Sequence, residues 1–346
     1  MTFIKKLVKV RFPMFDREFA NHNFITEAFT RVWGEVPNTL SEVKINTLDG
    51  RIEIYFNWGD HTSKIIENTI NNDYFSTRLI DEKFVKKVIE EKYIDLECNI
   101  KLLRNDNYQT NLTDAERRVI DYHIENLIFQ FFLAMNIATP GSFNPFSREL
   151  QVNSNFEIYE YSSSCIESAW IESTDNGWPT ISSIEISRVW NWIQTLNFGY
   201  RQIAQNRTER ALFSILHLCK EDKVSPTQLI WISFALEALY DTPKAQINKT
   251  LIERISLVLG ISDDIKRKYK KKINEFYDLR SRFVHGELDI ATPLANEILD
   301  DKCSEYQAII IEYCDFGLSI ILATLQKMIQ NEWKTLCFIE NYYGDR

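Results

Sequence analysis

Glycine and proline are scarce in this chain, at 10 and 8 of 346 residues. That scarcity excludes a collagenous or low-complexity chain and an all-β fold of many tight turns, so helix is expected to dominate. The six cysteines, Cys98, Cys165, Cys219, Cys303, Cys314 and Cys337, form no CxxC or other metal-ligand spacing. Most lie in apolar stretches and read as reduced core thiols of a cytoplasmic protein. Residues 1–10 have charges but no uninterrupted apolar run, so they are not a signal peptide. The most apolar late segment, 308–329, carries Glu312 and Asp315 and reads as a buried helix, so no membrane association is expected. Positive charge is also in deficit, with 40 Lys+Arg against 49 Asp+Glu and a net charge of −9. A chain that coats nucleic acid through its overall field is thereby excluded, and any nucleic-acid site must be a local basic patch.

What is present is a soluble-protein composition, 45% hydrophobic and 26% charged, long enough for two ordinary domains. The fold class expected is mostly α, with an α+β N-terminal half over 1–182 and a helical C-terminal domain over 183–346. In the first half, alternating runs at 43–48 and 51–56 flank Asp49-Gly50 and predict a hairpin. Thr113-Asp114-Ala115-Glu116 is a capping box opening a helix over 114–136, and 156–161 alternates like a strand. Thr174 to Pro179 supplies turn residues for a boundary near 175–185. Beyond it the spacing predicts helices over 227–240, after Ser225 as cap and Pro226 as first helical residue, and over 246–259, ending at Gly260. Two more follow, over 263–285 with Ser262 as cap and Gly286 just past the end, and over 304–333. The first half shows no nucleophile–base pair and no phosphate loop.

The chemistry-bearing residues gather on the helix over 263–285. Ile273, Phe276, Tyr277, Phe283 and Val284 share one stripe, and Arg280 falls near its middle. A guanidinium on an apolar face needs a carboxylate or a phosphate, because an unpaired buried charge costs several kcal/mol. Glu237, in the apolar run 230–240, is the internal candidate, either as a core ion-pair partner or as a group orienting Arg280 toward a cleft. His285 lies about 140° around an ideal helix from Arg280, but it is the last helical residue, where the chain turns. The alternative role for such a histidine is simply to cap the helix. Upstream stand Lys266, Arg267, Lys268, Lys270, Lys271 and Lys272, and residues 260–287 carry eight Lys/Arg against five Asp/Glu. This run reads either as a solvated face or as a track for a phosphate backbone, with Tyr269 available to stack on a base.

Phe234-Ala235-Leu236-Glu237-Ala238-Leu239-Tyr240, followed by Phe276-Tyr277-Asp278-Leu279-Arg280-Ser281-Arg282-Phe283-Val284-His285-Gly286, resembles the ApeA-like branch of the HEPN superfamily over roughly residues 185–335. The resemblance implies an antiparallel helical bundle and a homodimer whose two RxxxxH motifs face each other. It also implies metal-independent endoribonuclease activity without a cofactor, often as a toxin in antiviral defence or stress. The catalytic positions it implies are Arg280, His285 and Ser281, the last standing where many relatives carry Asn or Asp. Cleavage of this kind uses the ribose 2′-OH as nucleophile, His285 to move protons, and Arg280 to hold the phosphoryl oxygens. The alternative expectation is a HEPN-like module that dimerises or binds RNA without cutting.

Overall fold

The computed structural model describes residues 2–11, 23–47, 50–59, 62–63, 66, 93–104, 113–147, 161–196, 202–220, 224–243, 246–295 and 299–339. These are mostly helical, with a small antiparallel sheet confined to the N-terminal half. The chain divides into two compact units, 1–163 with 182–194, and 164–181 with 195–346. The division is thus not a single cut near 182: one helix before that point packs with the later unit, and one after it with the earlier unit.

In the first unit, strands β1 (Thr2–Arg11), β2 (Glu42–Thr47), β3 (Gly50–Asn57), β4 (Tyr93–Arg104) and β5 (Asn144–Ser147) form one sheet in the order β2-β3-β4-β1-β5, every neighbour antiparallel. The hairpin expected around Asp49-Gly50 is β2–β3, in register from Glu42↔Tyr55 to Thr47↔Gly50. Alternation buries Ile52, Ile54 and Phe56 on β3 and Leu96, Cys98, Ile100 and Leu102 on β4, as a strand with one covered face requires. Helix α1 (Asn23–Thr39) contributes Ile25, Phe29, Val32, Trp33 and Val36 at helical spacing. Its Trp33 indole donates to the Ser142 carbonyl at 3.0 Å, and Trp58 donates to Leu40 at 3.1 Å. Helix α2 (Asp114–Ala138) opens with the expected capping box: Thr113 Oγ1 accepts from the Glu116 amide, and the Glu116 carboxylate accepts from the Thr113 amide. Ring contacts from Phe131 to Phe56 and to Trp190 tie this helix into the core; Trp190 belongs to α4 (Ile186–Thr195). The strand expected over 156–161 lies outside the described residues except for Tyr161, which is buried against Phe129 and Phe132.

The second unit contains α3 (Ser164–Asn176), α5 (Arg207–Cys219), α6 (Thr227–Tyr240), α7 (Ile247–Ile255), α8 (Asp263–Val284) and α9 (Asp301–Gln330). Helix α6 covers the expected 227–240, but Pro226 is not its first helical residue. Pro226 occupies the cap position, and the Thr227 amide donates to Ser225 Oγ at 3.3 Å. Helix α7 continues through a π turn, Ser256–Gly260, and stops at Gly260, whose φ of +70° places it in the left-handed region. Ser262 takes the cap position of α8 without a side-chain cap bond. Helix α9 is long and apolar enough to cross a membrane by length and composition, but most of that stretch is buried inside this unit. It packs on α3, α6 and α8. Gly317 lets the neighbours approach, since a Cβ there would lie 2.5 Å from Ile232 of α6 and 3.4 Å from Phe276 of α8. All six cysteines are free thiols, with Cys98, Cys219 and Cys314 buried, Cys165 and Cys303 half-buried, and Cys337 exposed.

Candidate functional site

Helix α8 presents a buried face of Tyr269, Ile273, Phe276, Tyr277 and Leu279. The stripe does not remain buried to its end as the spacing suggests. Arg280 and Phe283 are half-buried and Val284 is 51% exposed, because the last turn runs past the core. His285 is exposed and caps the helix, its amide donating to the Ser281 carbonyl at 2.9 Å. Gly286 follows with φ +74°, and the Glu287 amide donates to Arg282 O at 2.8 Å. That pattern is a Schellman motif, in which glycine allows the left-handed residue that ends the helix.

Arg280 lies near Glu237 of α6 and Tyr277. The nearby guanidinium and phenol favour the Glu237 carboxylate, but its partial burial has the larger effect and raises its pKa above the usual carboxylate value. Burial likewise raises the Tyr277 hydroxyl, and the neighbouring Glu237 charge adds to the effect. Both Tyr277 Oη and Arg280 Nε are sealed from solvent without a partner in hydrogen-bond geometry. Glu237 and Arg280 therefore attract one another, as the sequence suggested, but do not close on each other as a contact ion pair. The unpartnered Nε is closed to an outside acceptor, and it is the rest of the half-buried guanidinium that stays open to one. Ser281 is half-buried beside it. Among the described residues no hydrogen bond or ion pair joins Arg280 to His285.

The basic run divides. Lys266, Arg267, Lys268, Lys270 and Lys271 are exposed on α8. Lys272 turns inward: its ammonium sits 3.2 Å from Glu172 of α3, 3.2 Å from Glu312 of α9, and 5.1 Å from the centre of the Phe316 ring. It is committed to its own unit and poorly placed to follow a phosphate backbone. Tyr269 corrects the expectation of an exposed stacking ring. It is buried, with its ring edge-on to Trp178 at 4.0 Å and to Phe316 at 5.2 Å. The signal was present in the spacing, since Tyr269 lies one turn before Ile273 and so extends the buried stripe.

Sequence reasoning missed the cavity this arrangement forms. Trp178, Tyr269, Phe316, Lys272, Glu172 and Lys268 line a space of about 210 Å³ within the second unit. Trp178 is held from outside by its indole, which donates to the Gly260 carbonyl at 3.1 Å. Asp315 of α9 accepts from Ser168 of α3 at 2.6 Å. Burial pushes the Asp315 carboxyl up to about 7, with Ser168 and Lys272 opposing that shift and Glu172 adding to it. Among the described residues no three His, Cys, Asp or Glu side chains converge as a metal site. No family model, curated protein or solved structure matches this chain.

Proposed function

We propose that the second unit is a metal-independent endoribonuclease of HEPN type, acting as a cytoplasmic homodimer in defence or stress. The observation that carries this reading is Arg280: a half-buried guanidinium that no carboxylate closes on, five residues before a solvent-exposed histidine at the same helix end. In the proposed step the 2′-oxygen forms a bond to the adjacent phosphorus and the bond from phosphorus to the 5′-oxygen breaks. A base takes the 2′-OH proton and an acid returns one to the 5′-oxygen, leaving a 2′,3′-cyclic phosphate and a free 5′-OH. His285 supplies the proton-transfer group, and its partner copy across a dimer supplies the second. Arg280 donates to the phosphoryl oxygens as negative charge builds, with Glu237 orienting it. Ser281 is a further polar group beside the arginine.

Exposed apolar side chains support pairing at this end of the helix. Phe234 of α6 is 49% exposed one turn before Glu237, and Val284 is exposed one turn after Arg280. Both therefore flank the Glu237–Arg280 pair. Arg280→Ala and His285→Ala should each lower RNA cleavage by at least about a hundredfold, the scale of losing one transition-state donor or proton-transfer group. Chelator should leave cleavage by the parent protein unchanged. Cleavage that survives either substitution, or that chelator abolishes, overturns the mechanism. Exposure of the five outward cations favours the second reading, a module that binds RNA without cutting it. Salt-sensitive binding with intact RNA recovered would establish that alternative.

A further inference from the structure

The cavity beside the basic run has three features that together describe a ligand. Its walls are aromatic, with Tyr269 edge-on to both Trp178 and Phe316. Its volume, about 210 Å³, is below the range typical of drug-sized ligands and suits a single ring system. Its polar groups are unequal. Lys272 is neutralised by Glu172 and Glu312, whereas Lys268 is exposed and, among the described residues, unpaired. Glu172 uses one carboxylate oxygen, Oε1, for Lys272, and its Oε2 has no hydrogen-bond partner among the described residues. Tyr269 also has its hydroxyl sealed from solvent without a partner. An apolar slot with a free cation at its mouth and a free carboxylate oxygen on its wall suits a planar ring that bears an anionic group and a donor.

We infer that this cavity is a single-nucleotide site, with the base among Trp178, Tyr269 and Phe316, its phosphate at Lys268, and its exocyclic amino group donating to Glu172. The inference rests on the RNA-cleaving reading for its biological setting, where it names the subsite that takes one base of the substrate. The same chemistry also describes a free mononucleotide. A carboxylate accepts hydrogen bonds only, so the site favours adenine, cytosine or guanine, with an exocyclic amino donor, over uracil, whose N3–H is flanked by two carbonyl oxygens that a carboxylate repels. Base–aromatic contact supplies affinity, and the five exposed cations on the same helix draw phosphate toward the opening.

The full chain is titrated with adenosine, cytidine and uridine monophosphates by calorimetry. Adenosine or cytidine monophosphate should bind with a dissociation constant below about 1 mM. Uridine monophosphate should bind about tenfold or more weakly, the scale of one lost hydrogen bond to a charged group. Lys268→Glu, a surface change, should weaken every nucleotide by about tenfold, and Glu172→Gln should erase the preference against uracil. Absence of saturable binding, equal binding of uridine monophosphate, or indifference to Lys268→Glu overturns the proposal. Arg280→Ala separates this inference from the catalytic reading, because nucleotide binding should survive it while cleavage falls. If the source is RNA, adenosine monophosphate competes with cleavage and Lys268→Glu raises KM; if it is a free nucleotide, binding persists without competition.

Discussion

Asp315 is a carboxylic acid held in the interior of the second unit by one short hydrogen bond from Ser168. Burial dominates the Lys272 attraction and lifts its pKa from the ordinary carboxylate value to about 7. Between those two values the folded chain keeps a proton that the unfolded chain releases, so this group makes stability fall as pH rises. The contribution is absent below the unfolded value, near pH 4, and its full cost is reached above pH 7. Asp315→Asn should therefore stabilise the protein at pH 8 by up to about 4 kcal/mol, and change little at pH 4. Urea unfolding at the two pH values checks it, and a variant no more stable than the parent at pH 8 sinks the assignment. Arg280 was legible at this same scale, because apolar neighbours three and four residues away mark its face. The free Nε was not, since whether Glu237 closes onto it depends on how far apart α6 and α8 stand. Lys272 was misread for a related reason. Its carboxylate partners lie 100 residues before it and 40 after it in the chain, and no local pattern brings them together.

Helix α8 shows how far periodicity reaches. Its bounds were expected as 263–285 and are Asp263–Val284 with His285 as cap, because Gly286 ends it by backbone conformation alone. Helices α6 and α9 were also legible from their apolar runs, although α9 is Asp301–Gln330 where 304–333 was expected. Gly317 in the middle of α9 has no such signature, and by propensity alone it weakens the helix by about 1 kcal/mol relative to alanine. Its reason is tertiary, for a methyl group there would lie 2.5 Å from Ile232. The β-branched Ile232 is completely buried and has little room to turn away. Overpacking should outweigh propensity, so Gly317→Ala is expected to destabilise by about 1–3 kcal/mol. A thermal midpoint equal to or above that of the parent would show that α6 and α9 can separate without loss.

At the scale of the whole molecule, composition and pattern identified a mixed first half and a helical second half, but not which helix belongs to which unit. Helix α3 precedes the turn at Gly177 and Trp178, yet it packs along α9 and supplies Ser168 to Asp315 and Glu172 to Lys272. Its own apolar residues, Ile166, Ala169 and Trp170, are buried, but a short amphipathic helix carries no label for the surface it will cover. The consequence is a sharp expectation about where the chain can be divided. A polypeptide starting at residue 183 lacks α3, leaving one face of α9 uncovered and Lys272 without Glu172. One starting at Ser164 retains both and differs by only 19 residues. The longer fragment should unfold cooperatively and show dispersed NMR signals. The shorter one should bind a hydrophobic dye and lose its cooperative transition, because a helix face that loses its cover exposes apolar surface at about 25 cal/mol per Å². Equal cooperativity of the two fragments would show that α3 is dispensable to the helical unit. Retained cleavage by the shorter one would further show that the Arg280 end of α8 is organised independently of the cavity beside Lys268.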